Sequence, residues 1–182
     1  MENILHSQQW KTVVADPPWQ PVLGQTWNSR MVDKAGPQRF YTTMGLQEII
    51  DLRPSLADQA HLYVWGIAQH MDWAYQVVRA WGAEPVTMLT WKKPGLGVGR
   101  FRCNTEHVLV ARKGDRQGNP FGSGGRTAQA TNGTLFEWPR GRHSEKPQEF
   151  FDLVEKLSPG PYLEMFARTT RAHWAAWGDQ VK

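Results

Sequence analysis

The chain has a single cysteine, Cys103, among 182 residues. An intrachain disulfide framework is therefore impossible, and a reducing, cytoplasmic compartment is expected. Long apolar runs are missing too, and none approaches the roughly 18 residues of a membrane span. The opening MENILHSQQW has neither a basic region nor an apolar one, so it does not read as a signal peptide. No repeat and no linker divides the chain, and a single domain over 1–182 is expected. The six histidines fall at no metal-ligand spacing, and no base is evident for Cys103, so no metal site is expected and a thiol nucleophile has no support. Net charge is only +4, compatible with a nucleic-acid partner without identifying one.

What the chain has in excess is tryptophan, ten in all. Trp65, Trp81 and Trp91 lie within strand or helix patterns and read as core. Trp19 lies in a loop and is the first candidate for a stacking surface. Short apolar runs predict strands at 11–15, 61–67, 86–91, 106–112, 135–138, 162–168 and 173–178. Apolar spacing predicts helices at 46–52, along the Met71, Ala74, Val77, Val78, Trp81 stripe, and at 144–157 with Pro147 in the first turn. Strands alternating with helices argue for an α/β fold with a mostly parallel sheet, whose ligand lies beyond the carboxyl ends of the strands. Between Lys113 and Gly133 apolar residues thin out and six glycines appear, a long functional or disordered loop.

The stretch TVVADPPW at 12–19 ends a buried strand in a carboxylate. Asp16 and the proline carbonyls offer hydrogen-bond acceptors on a stiff loop, and Trp19 offers a flat face. That set suits a planar base with an exocyclic amine, such as adenine. A plainer reading has Asp16 capping a turn and Trp19 plugging the core, and four residues do not choose between them.

The wider sequence bears on the choice. DPPW after a short strand resembles the signature of N6-adenine methyltransferases. It is most similar to the family named after the seventy-kilodalton catalytic subunit of the mRNA adenosine methyltransferase. RFYTTM at 39–44, HLYVWG at 61–66, AWGAEPVTMLTWKKPGLGVG at 80–99 and TEHVLVARKG at 105–114 resemble further family blocks in family order. So do HSEKPQEFFDLVEKLSPGPYLEMFAR at 143–168 and HWAAWGDQ at 173–180, where Asp179 stands in place of the family's asparagine.

The resemblance implies a Rossmann-like class I methyltransferase fold. It would be circularly permuted, with the DPPW strand first and the cofactor strand late. It implies S-adenosyl-L-methionine as methyl donor and adenine N6 in nucleic acid as acceptor, DNA in preference to RNA. Asp16, Pro17, Pro18 and Trp19 would be the catalytic motif, with Tyr41 beside the base. Lys93, Arg100 and Arg102 would meet substrate phosphates, or else be plain surface charge. Ser144, Lys146, Glu164, Arg168, Asp179 and Gln180, with Asp16, would hold the cofactor. Taken without the resemblance, Lys146 and Arg168 read as solvated surface charge. Partners implied are nucleic acid and either a second copy or a related subunit. The rival reading is an inactive nucleic-acid-binding module on the same fold, against which the intact DPPW argues. A different, small-molecule methyltransferase would need the 113–133 loop folded over a closed pocket. GLGVG at 95–99 follows a strand but precedes no helix, so it does not read as a phosphate loop.

Overall fold

The computed structural model describes residues 4–20, 42–96, 102–114, 133–141, 145–179 and 181. Its strands are β1 (Trp10–Ala15), β2 (Leu56–Gly66), β3 (Glu84–Lys92), β4 (Thr105–Lys113), β5 (Leu135–Phe136), β6 (Tyr162–Met165) and β7 (Trp174–Trp177). Its α-helices are α1 (Leu46–Asp51), α2 (Met71–Ala80) and α3 (Gln148–Leu157).

Successive strand residues point to opposite faces, and here both faces are apolar. Val13 and Ala15 of β1, Leu62 and Val64 of β2, and Leu109 and Ala111 of β4 enter one core. Their neighbours Val14, Tyr63, Trp65, Val108 and Val110 enter the other. A sheet apolar on both faces has to be covered on both. Ile49 of α1 and Ala74, Val77 and Val78 of α2 cover the first face. Phe150, Phe151 and Val154 of α3 cover the second.

The seven-stranded sheet has the order β5-β3-β4-β2-β1-β6-β7. Only β4 runs against its neighbours; the β1–β2, β1–β6, β6–β7 and β3–β5 pairs are parallel. From β1 the chain moves outward to one side, then returns much later to lay β6 on the other. The gap between the carboxyl ends of β1 and β6 is thus a topological switch point, where open α/β sheets bind ligands. This is the permuted order expected, with the Asp-Pro-Pro-Trp strand early and the Glu164 strand late.

Several boundaries differ from expectation, among them the end of β6, expected at 168 and found at Met165, where the left-handed Phe166 breaks the strand. β2 begins at Leu56, which pairs with Trp10 ahead of an irregularity in the register that holds the exposed Asp58 and Gln59 and interrupts the apolar run. β5 keeps only the residues that pair with Thr90 and Trp91. Pro147 precedes the first turn of α3, as its N-cap with extended ψ of 140°, so the helix opens at Gln148. Trp65, Trp81 and Trp91 are core, as expected.

Candidate active site

Asp16 is the first residue past β1, and its amide is fixed by the Met165 carbonyl at the end of β6 (3.4 Å). The loop that follows is closed by its own backbone. Trp19 N–H donates to Pro17 O (2.8 Å), Met44 N–H to Pro18 O (2.8 Å) and Gln20 N–H to Met44 O (3.0 Å). Among the described residues, each proline carbonyl thus accepts one hydrogen bond of the two that a carbonyl oxygen can take.

Trp19 takes the plainer of its two readings. It is 8% exposed, its Nε1 donates to Trp65 O (3.0 Å), and it stacks on His70 with centroids 5.9 Å apart. It is a pillar under the loop, and its flat face is spent on His70. His70 in turn bonds Gln20 O through Nε2 (2.8 Å), which pins the loop's far end.

Lys146 reaches Asp16 from just before α3. Its Nζ stands 2.9 Å from Asp16 Oδ2 and 3.1 Å from Glu106 Oε2. It also sits 4.9 Å over the Trp65 ring. Lys93 closes the other oxygen of Glu106 at 2.8 Å. The result is an alternating row, Asp16–Lys146–Glu106–Lys93, at the carboxyl ends of β1 and β3 and the amino end of the antiparallel β4. Lys146 and Glu106 keep little solvent contact, with side-chain exposures of 13% and 17%.

The electrostatics follow from that burial. Burial alone would push the Lys146 ammonium down, but the carboxylates of Asp16 and Glu106 pull it above its ordinary value. Burial pushes Glu106 up, and the two lysines overcome it and hold the carboxyl below its ordinary range. Asp16 goes the other way: burial raises it, against the pull of Lys146. The site therefore holds a fixed cation beside a carboxylate disposed to take a proton.

On the β6 side, a crevice is lined by Asp16, Pro18, Phe166, Ala167, Arg168 and Asp179. Phe166 adopts a left-handed backbone (φ 63°), a conformation that costs energy for a side chain of this size and aims the following residues into the crevice. Gly178 lies against Ala167 so closely that a Cβ would come 2.7 Å from the Ala167 oxygen. Only glycine lets the end of β7 approach there. Glu164 lies one position before the end of β6, and its nearest cation is Arg171 (Nε to Oε2, 3.7 Å) rather than Arg168. Arg168 instead faces the crevice with Asp16 and Asp179. A larger cavity of about 330 Å³ is lined by His6, Arg53 and Lys113 at the opposite end of the sheet, away from all of this chemistry.

The structure thus brings together Asp16, Pro17, Lys146, Glu164, Arg168 and Asp179. Lys146, expected toward the cofactor, is engaged by two carboxylates. Lys93, expected on substrate phosphate, is engaged by Glu106. Arg102 is exposed. Tyr41, Arg100, Ser144 and Gln180 lie outside the described residues, as does most of the 113–133 loop. Glu106 was missed by sequence reasoning; the signal was a carboxylate just ahead of the apolar run at 108–111. His107 is a structural residue as expected, hydrogen-bonded to Thr90 (3.1 Å). Among the described residues no cluster could hold a metal ion.

A parallel-rich sheet with a ligand crevice at its switch point, lined by the acidic residues that follow β1 and β7, defines a Rossmann-like enzyme for an adenosine-bearing cofactor. The donor set fits such a group: carboxylates at strand ends take ribose hydroxyls, and Asp16 and Asp179 open on the crevice with Glu164 in the adjoining strand β6. Sequence comparison is more specific. The MT-A70 family model matches residues 10–180. A Type II methyltransferase, M.MunI of a Mycoplasma species, is 28% identical over 97% of this chain and 80% of its own length. The N6-methyladenosine RNA methyltransferase MTA1 of Cryphonectria parasitica is 30% identical over 93% of this chain and 51% of its own length. The human N(6)-adenosine-methyltransferase catalytic subunit METTL3 is 27% identical over 95% of this chain and 28% of its own length. The chain belongs to the MT-A70 family, and it is an S-adenosylmethionine-dependent N6-adenine methyltransferase acting on nucleic acid.

Proposed function

We propose that the substrate is adenine in DNA, and that Asp16, positioned by Lys146, carries the reaction. The DNA assignment is supported by the relative M.MunI, which this chain matches over 80% of that protein's length, against about half or less of MTA1 and METTL3. The observation that carries the mechanism is the 2.9 Å Lys146–Asp16 pair beside the β1–β6 crevice.

S-adenosylmethionine supplies a sulfonium-activated methyl group. The protein's task is to make adenine N6 a nucleophile, because its lone pair is delocalised into the ring. Asp16 accepts one amino hydrogen, and the free lone pair of the Pro17 carbonyl accepts the other. Holding both steers N6 toward a tetrahedral shape and stabilises the charge that develops there. Lys146 fixes the direction of the Asp16 carboxylate. Once N6 has become acidic, Asp16 is a competent proton acceptor, since burial raises its affinity for a proton. Glu164, Arg168 and Asp179 hold the cofactor, the carboxylates through hydroxyl groups and Arg168 through an anionic group. A base in a duplex cannot reach a crevice at the strand ends, so it enters flipped out or from a single strand. Association with a second copy or with a related subunit, and a cytoplasmic setting, belong to the same reading.

The test is transfer of labelled methyl to matched DNA and RNA pools, followed by nucleoside analysis. N6-methyladenine in DNA is the expected product. Asp16→Ala should lower the rate by about 10²–10³, the usual cost of removing one transition-state hydrogen-bond partner. Methylation confined to RNA would overturn the DNA assignment. Full activity in Asp16→Ala would overturn the mechanism.

A further inference from the structure

Glu164 and Arg171 face each other with unspent hydrogen-bonding atoms. Arg171 Nε and Glu164 Oε2 are both buried without hydrogen-bond partners, at a 3.7 Å separation that allows ion pairing but no hydrogen bond. The rest of Arg171 is engaged elsewhere. One guanidinium nitrogen, Nη1, donates to Gln148 Oε1, and the guanidinium carbon lies 3.6 Å from the Phe151 ring centroid. Gln148 is oriented for this, since its own NH2 donates to Asp152 Oδ1 (2.7 Å). Gln148 and Phe151 belong to the first turns of α3, and Lys146 stands just ahead of that helix.

We infer that Arg171 is a positioning residue: it holds Glu164 from its buried side as a carboxylate for the cofactor and ties it to the helix start that carries Lys146. This rests on the reading of Glu164 as a cofactor contact. The geometry divides the labour. Oε2 looks inward at the guanidinium, so a ligand hydroxyl has the other carboxylate oxygen. The same guanidinium is gripped by α3, so a shift of Glu164 is felt at the start of α3 beside the Lys146–Asp16 pair. The groups bearing on the charge of Glu164 are Arg171 from the β6–β7 connection and Asp16 from the end of β1. Burial pushes the Glu164 carboxyl up to about 7, with Arg171 opposing and the Asp16 charge adding. Near neutrality, then, whether Glu164 is ionised depends on Arg171.

The experiment is calorimetric titration of the full chain with S-adenosylmethionine from about pH 6 to about pH 9, bracketing the Glu164 transition. Variants are Arg171→Gln, Arg171→Lys and Glu164→Gln, each checked for folding by its thermal melt. Arg171→Gln should weaken binding about tenfold at pH 7, with the midpoint of the pH dependence displaced upward and affinity recovering toward pH 9. Arg171→Lys retains the charge and should keep the wild-type midpoint. Should Arg171→Gln fail to fold, the proposal stands or falls on Arg171→Lys against wild type and Glu164→Gln. Glu164→Gln should bind weakly at every pH. A constant loss across pH in Arg171→Gln, or none, with Glu164→Gln still weak, overturns the role of Arg171 and leaves the cofactor reading intact. Wild-type binding by Glu164→Gln removes Glu164 from the cofactor site, and the inference with it.

Discussion

A lysine held between two carboxylates acts as a fixed cation, and its removal exposes what it was masking. Without Lys146, Asp16 and Glu106 face each other across a desolvated gap, and only Lys93 still pairs with Glu106. Lys146→Gln should therefore cost about 3 kcal/mol in chemical denaturation, and it should lower the methylation rate more than it weakens cofactor binding. Lys146→Arg should restore most of the stability and little of the rate, because a planar fork cannot reproduce a point donor aimed at Asp16. Equal losses of rate and cofactor affinity in Lys146→Gln would place the lysine on the cofactor, as the family resemblance implied. That earlier placement had a physical reason. Lys146 and Asp16 are far apart in the chain, and nothing local in S-E-K-P indicates which anion the ammonium meets. Trp19 shows the converse. Its position in a loop advertised a surface, whereas its partners Trp65, His70 and Trp73 lie on elements whose approach is decided by packing.

At the scale of elements, the strands were legible because their apolar residues are contiguous and alternate between two cores. What periodicity could not supply was the extension of β2 back to Leu56, because the register shifts at the polar Asp58 and Gln59 and only the Trp10–Leu56 pair marks the start of the strand. α3 has a second function beyond covering the sheet. Phe150 packs edge-on against Trp65 at 4.8 Å, and Trp65 is the floor under Lys146. Phe150→Ala should cost about 3–5 kcal/mol in urea unfolding, the usual range for a fully buried phenylalanine. It should also depress activity at temperatures where the variant is still folded, since the floor under Lys146 loosens. Phe150→Leu should recover most of both. Stability lost with activity intact would uncouple this core from the site.

For the molecule as a whole, the two ends of the sheet have different duties. The carboxyl ends carry the reaction, and the opposite end carries a buried polar knot. There, Ser158 joins His61 Nδ1 (2.7 Å) and the Tyr63 hydroxyl (2.8 Å), while Thr12 donates to Pro159 O (2.7 Å). Burial lowers His61 to about 4 from its ordinary 6.5. Above pH 6.5 the histidine is neutral folded and unfolded, and stability is complete. Below it the unfolded chain takes up a proton that the folded one refuses, and stability falls until about pH 4. The loss should approach about 3 kcal/mol across that window. Melting temperature against pH would reveal it as a slope that His61→Gln flattens. The same slope in both proteins would assign it to other groups.

The placement of β1 has a further consequence. It is the inner strand whose register aligns Thr12 with His61 on one side and Tyr162 on the other. On a ribosome the first partner emerges well before the second, which lies about a hundred residues further along the chain. Until β6 has emerged β1 has a bare edge, and the motif that follows it has no opposite wall. A nascent chain in that condition presents an unpaired edge open to wrong partners. It also has no competent site until β6 and β7 arrive, so catalytic competence waits on them.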